Sequence, residues 1–281
     1  MSIEKLINVL VIVTLIQLMV TIGLGVTIRD VISVAMNWRL AARAAIANYI
    51  LVPACALVLL LMVQSTALVA TGILIAAACP GAPYGPPLVG LAKGGVPAAV
   101  GLMALLAGSS ALVSPVLLSI TLPFVAGDQP LAINVVKMDE TLFLTQLLPL
   151  AIAIAFKNWR PDLAERLVKP SKRLSLALNI VTIGMIIAVQ FPLLLAIKPA
   201  GYAGMLALTL AGVGFGWLLG GAGESQRVAM AFSTGVRNAG VSLAIATVSF
   251  PGTEAVTTAL AFAIFQTIVL VLLAFLWGRW T

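Results

Sequence analysis

Long apolar runs separated by short polar or turn-rich stretches recur along all 281 residues. Breaking the chain at its charged and turn-rich points leaves nine such runs. They lie roughly at 7–28, 41–62, 66–92, 96–125, 139–156, 174–196, 202–221, 228–250 and 255–277. A helix of ~20 residues crosses about 30 Å of hydrocarbon, so the pattern predicts an all-α polytopic membrane protein of nine spans. The first run lacks a charged lead and an A-x-A cleavage site, so it reads as a retained span.

Two runs are irregular. The third is interrupted by "CPGAPYGPP" (79–87), which holds four prolines and two glycines. Prolines at that density cannot sustain a helical ladder, and backbone groups freed inside hydrocarbon must face protein or a watery cavity. The eighth carries Ser233, Thr234, Arg237 and Asn238 near its middle, followed by Gly240. An arginine near a bilayer midplane costs at least ~2.5–3.5 kcal/mol. The two runs are five spans apart and cross in opposite directions. Paired broken helices in two inverted halves are the sequence signature of a secondary transporter, with substrate bound near the midplane. The breaks are expected near residues 80–87 and 236–240, crossing each other.

Composition agrees: 62% of residues are hydrophobic and 9% charged, with a mean hydropathy of +1.16. The whole chain, 1–281, therefore reads as one membrane domain with no room for a soluble one. Its formal charge of +7 reflects the loops rather than a nucleic-acid partner. Alternate loops hold twelve Lys and Arg residues on one side and three on the other (Lys5, Lys137 and Lys198), with Arg237 in neither group. The positive-inside rule then places the N-terminus outside and the C-terminus in the cytoplasm, in the inner membrane if the protein is bacterial. The longest basic stretch, "KNWRPDLAERLVKPSKR" (157–173), reads as a loop that sets topology, with a lipid-headgroup or partner site as the alternative. Gly212, Gly216 and Gly220 form a strip for close helix approach.

The chemistry on offer is narrow. Histidine is absent, and the two cysteines, Cys55 and Cys79, sit in apolar runs as small packing residues. No nucleophile–base pair or metal cluster is present, so neither an enzyme nor a metal or cofactor site is expected. The nine acids are Glu4, Asp30, Asp128, Asp139, Glu140, Asp162, Glu165, Glu224 and Glu254, all in loops or at span ends. Asp139 and Glu140 are candidates for lining an outer vestibule.

Four stretches resemble the bile acid:sodium symporter family. "CPGAPYGPPLVGLAKGG" (79–95) is similar to that family's first broken helix, and "STGVRNAGVSLA" (233–244) to its second crossing segment. "IGLGVTIRDV" (22–31) and "NYILVP" (48–53) resemble two shorter motifs. The likeness follows the chain in order, without a counterpart of the additional N-terminal helix of ten-span members. It implies two inverted repeats, about 1–125 and 139–281. It also implies a core of spans two, three, four, seven, eight and nine, with a panel of spans one, five and six. The departures bear on coupling. Ser233 stands where the family has an acid, Arg237 where it has a glutamine, Gly85 and Pro86 replace a Ser-Asn pair, and Asn48 replaces a glutamine. Sodium needs a shell of oxygen ligands, and the carboxylate of that shell is missing.

Three roles compete for Arg237. It anchors a substrate anion, it stands in as a fixed cation among broken-helix carbonyls, or it snorkels to an interface. The expected substrate contacts are Gly81, Ala82, Pro83 and Tyr84 from one break and Ser233, Thr234, Arg237 and Asn238 from the other, with Asn48 beside them. For Asn48 and Asn238 the alternative is interhelical hydrogen bonding, and for Tyr84 a wedge in the break. Ser109, Ser110, Ser114, Gln266 and Thr267 read as packing residues. The chain is thus expected to move a small organic anion through the lipid bilayer by alternating access, without conventional sodium coupling. The alternatives are a sodium symporter with rearranged ligands, and a non-transporting subunit or receptor on the same fold.

Overall fold

In the computed structural model, residues 3–63, 65–126 and 134–280 are described; Asp128 lies outside them. The described chain is helical throughout, in the order α1 (Ile3–Gly25), α2 (Ile28–Met36), α3 (Trp38–Met62), α4 (Ala67–Ala78), α5 (Gly85–Leu91), α6 (Val96–Thr121), α7 (Val135–Trp159), α8 (Pro161–Leu195), α9 (Pro199–Leu219), α10 (Glu224–Gly235), α11 (Ala239–Ser249) and α12 (Glu254–Trp280). A single further turn, Pro123–Ala126, follows α6.

Eight of the described segments are long and apolar enough to cross a membrane, α10 and α11 counting together as Glu224–Ser249; α4 is apolar but shorter. With α4 and α5 taken as the two halves of the third, these are the nine expected segments. The sequence had placed a loop at 157–173, but α8 runs helically from Pro161, at its first position, through most of that stretch. Ala164 and Ser171 are buried there, which gives those turns a face to pack and so a reason to stay helical. The helix is kinked at Gln190 (φ −109°, ψ 15°), and the stretch before the kink, at ~1.5 Å per residue, is already longer than the ~30 Å hydrocarbon core of a bilayer. The elbow after α1 is helical as well. Thr27 and Asp30 form a reciprocal capping box that starts α2, satisfying two otherwise orphan amides.

Helices α1, α7 and α8 pack on one another. Hydroxyls and amides join α1 to α8: Thr14 to Thr182 at 2.8 Å, Gln17 Nε2 donating to Ser171 Oγ at 2.9 Å, and Thr21 to Ser175 at 2.7 Å. Helix α9 packs along α10 and α4 along α12. The glycine strip of α9 is the reason for the first contact. A Cβ on Gly220 would lie 2.5 Å from the Arg227 Cα, and one on Gly212 would lie 3.2 Å from the Thr234 carbonyl oxygen. Only a strip without side chains admits the α10 backbone at that range.

Candidate functional site

Both irregular spans are broken, and the breaks meet. The first runs from Cys79 to Tyr84, between α4 and α5; the second is Val236–Asn238, between α10 and α11. The first is shorter than the sequence suggested. Pro86 and Pro87 fall in the first turn of α5, where a missing N–H costs nothing because that amide would have no helical partner. Gly81 has φ +83°, and a Cβ there would lie 2.6 Å from the Ala107 Cα. Both the left-handed backbone and the closeness to α6 require glycine.

The freed backbone groups are paired across the crossing. Asn238 N–H donates to the Cys79 carbonyl at 2.7 Å, and its Nδ2 donates to the Gly81 carbonyl at 3.1 Å. The Asn238 Oδ1 accepts from Val241 N–H at 3.2 Å and so caps α11. Ser114 Oγ donates to the Ala78 carbonyl at 2.6 Å. Gln266 brackets Arg237 from α12: its Oε1 accepts from the Arg237 N–H and its Nε2 donates to the Arg237 carbonyl, each at 3.1 Å. Tyr84 Oη donates to that same carbonyl at 3.1 Å and accepts from Gln266 Nε2 at 3.1 Å. An unsatisfied group in hydrocarbon costs several kcal/mol, so this set of bonds is what permits two helices to break at this depth.

Arg237 lies at the centre and is 1% exposed. It does not snorkel. Its Nη1 donates to the Ala77 carbonyl at 3.2 Å, and its Nη2 donates to Asn48 Oδ1 at 2.6 Å and to the Thr234 carbonyl. Ala77 and Thr234 belong to the last turns of α4 and α10. The guanidinium therefore bridges two helix C-termini, whose unpaired carbonyls carry partial negative charge. No Asp or Glu is among the buried described residues, so carbonyl and amide oxygens hold this cation in place of a carboxylate.

Asn48 sits on a π-helical turn of α3, Ile46–Leu51; its Nδ2 donates to the Ala44 carbonyl at 2.9 Å and to Thr234 Oγ1 at 3.3 Å. All nine expected contact residues thus belong to the two breaks or their immediate neighbours. Gly81, Ala82, Ser233, Thr234, Arg237, Asn238 and Asn48 are buried, and Pro83 and Tyr84 half-buried. Two polar atoms in this region are buried without a partner: Ser233 Oγ and Arg237 Nε. A cavity of about 420 Å³ opens beside Lys198, Glu254 and Thr66. Its floor includes Ile73, one turn before Ala77, and none of the nine residues lines it.

A broken-helix crossing closed by Asn238, with polar contacts from α3, α6 and α12, is a transporter's architecture, and one comparison decides which kind. The model of the sodium bile acid symporter family matches residues 12–197. The chain belongs to that family. The symporter family consists of membrane transporters rather than enzymes, which fixes the broad class of this chain. The matched stretch contains the first break; the second, with Ser233 and Arg237, lies beyond it. No curated protein matches the chain.

Two residues outside the expected contact set are central. Gln266 reads in sequence as one polar residue in an apolar helix, yet it holds both backbone groups of Arg237. Gln146 belongs to no motif in the sequence. It sits on a second π-helical turn, Phe143–Leu147, fully buried, with Nε2 donating to the Ala107 carbonyl and to Ser110 Oγ at 2.8 Å. Its Oε1 has no partner. A glutamine at membrane depth was the available signal; its contact across to α6 was not.

Proposed function

We propose that this chain moves a small organic anion across the membrane by alternating access, with Arg237 occupying the place of a coupling cation, so that transport does not require sodium. The observation that carries the reading is the guanidinium hydrogen-bonded to the terminal carbonyls of both α4 and α10 with no carboxylate beside it. A sodium ion at such a crossing contributes one positive charge and must leave on the far side for its gradient to drive uptake. A guanidinium contributes the same charge but is tethered and does not deprotonate in ordinary conditions. It holds the crossing together and attracts an anion, and it transfers no energy from a sodium gradient. A facilitator or exchanger follows.

In this reading, Gly81, Ala82, Pro83, Tyr84, Ser233, Thr234, Arg237, Asn238 and Asn48 form the substrate site. The α11 N-terminus and the free Arg237 Nε offer donors to an anion. Helices α1, α7 and α8 form the panel against which the remaining helices move, and the N-terminus faces outward. The test is uptake into proteoliposomes of a substrate found by thermal-shift screening of carboxylates and sulfonates, at equal ionic strength with sodium replaced by choline. Unchanged uptake is expected. A large loss in choline would mean that sodium binds through rearranged ligands, and no uptake of any solute would favour a non-transporting role.

A further inference from the structure

The five tryptophans gather at one end of the helices. Trp38 starts α3, Trp159 ends α7, Trp217 lies near the end of α9, and Trp277 and Trp280 end α12. Tryptophan concentrates at the membrane–water interface, so this end lies at headgroup depth. Arginines stack on the rings there: Arg39 on Trp38, Arg160 on Trp159 and Arg227 on Trp217, at 5.6, 4.9 and 4.9 Å from the ring centroids.

At one point on this rim two guanidiniums converge. Arg227 Nε donates to the Gly221 carbonyl at 2.5 Å, and Arg43 Nη1 would lie 3.1 Å from a Cβ on the same Gly221. Arg43 is exposed, and among the described residues its side chain makes no ion pair or hydrogen bond. Arg39 lies one turn before it on the same helix face. Two acids on the adjoining segments form no ion pair with either arginine. Asp30 is engaged by the Thr27 N–H and hydroxyl, and Glu224 is exposed and forms no ion pair with either arginine. Close by in sequence, large apolar side chains are exposed: Met36 at 78%, Trp38 at 69% and Leu218 at 70%. Two arginines reaching one glycine, with exposed apolar side chains on the adjoining segments at headgroup depth, fit one kind of partner.

We propose that Arg43 and Arg227 hold the phosphate of an anionic phospholipid, whose acyl chains run down past Trp217–Leu218 and Met36–Trp38. A guanidinium pairs with phosphate oxygens through two parallel hydrogen bonds, and two guanidiniums present more donors than one phosphodiester can use. The lipid would then tie the start of α10 to α3. The same two helices are joined again at the crossing, where Asn48 Nδ2 donates to Thr234 Oγ1 at 3.3 Å. This inference does not depend on what the protein carries.

The test uses the full chain in nanodiscs of phosphatidylcholine, titrated with phosphatidylglycerol. A saturable rise in Tm is expected. The Arg43→Gln and Arg227→Gln variants should each need about five-fold more phosphatidylglycerol for the same rise, while Arg166→Gln on α8 should behave as wild type. Should the variants misfold, tryptophan quenching of the wild-type protein serves. Brominated phosphatidylglycerol should quench more than brominated phosphatidylcholine, and the excess should shrink in Trp217→Phe. Equal quenching by the two lipids, or an unshifted titration in both Gln variants, would overturn the proposal. So would an equal Tm rise with inorganic phosphate or with polyglutamate, which would assign the arginines to a soluble anion or an acidic protein segment.

Discussion

The Asn48 side-chain oxygen accepts a 2.6 Å hydrogen bond from the Arg237 guanidinium, across 189 positions of sequence. This pairing joins α3 to the second break, and its chemistry can be changed with little change of shape. Asn48→Asp puts a carboxylate where the amide oxygen was. If Arg237 acts through its positive charge, the variant should fold with a Tm at or above wild type yet lose at least about ten-fold in uptake, because the ion pair cancels the charge offered to an anion. Asn48→Leu should instead destabilise by ~1–3 kcal/mol, since it leaves one guanidinium N–H without an acceptor. Wild-type uptake by the Asp variant would show that the charge has no part in transport.

Arg237→Gln tests the fixed-cation reading from the other side. The variant should lose anion binding without gaining sodium dependence, because Ser233, Gly85 and Pro86 still supply no ligand shell. Adding Ser233→Glu restores one carboxylate, and the double variant should show partial sodium stimulation of ligand binding, measured by thermal shift with sodium against choline. Sodium stimulation in Arg237→Gln alone would mean that the remaining oxygens already suffice.

Gly81 should not tolerate alanine. The left-handed backbone costs a non-glycine residue ~1–2 kcal/mol, and the added carbon, 2.6 Å from the Ala107 Cα, adds an overpacking cost of ~1–3 kcal/mol. A fall in Tm of several degrees in detergent is expected for Gly81→Ala, with Gly85→Ala near neutral because nothing lies within 4 Å of a Cβ there. Equal melting of the two variants would remove the argument.

Tyr84 and Gln266 meet each other and the same Arg237 carbonyl. A double-mutant cycle of Tyr84→Phe and Gln266→Leu should therefore give a coupling of ~0.5–3 kcal/mol, read from thermal or denaturant unfolding. Strict additivity would mean that the two act separately on the break.

The proposed orientation rests on the loop charges and is directly measurable. Cysteines placed at Lys137 and Lys198, both exposed, should react with an impermeant maleimide added to intact cells, and one at Lys169 should not. The reverse pattern would invert the proposed topology.

The sequence by itself determined the class of the protein and the position of its breaks. Hydrocarbon enforces this: a span must satisfy its own backbone, so apolar length reads as a helix, and dense proline or a lone arginine reads as an exception that something must compensate. Those rules are local, and they located Cys79–Tyr84 and Val236–Asn238 to within a few residues. Local rules also misjudged 157–173, where buried Ala164 and Ser171 hold a polar stretch in helix. What compensates each exception was left to the tertiary structure. That Arg237 takes the carbonyls of Ala77 and Thr234, that Gln266 holds its backbone, and that Gln146 reaches Ala107 are facts about distant segments. Hydrogen bonding acts over about 3 Å in space, and no spacing within one span shows which other span supplies the partner.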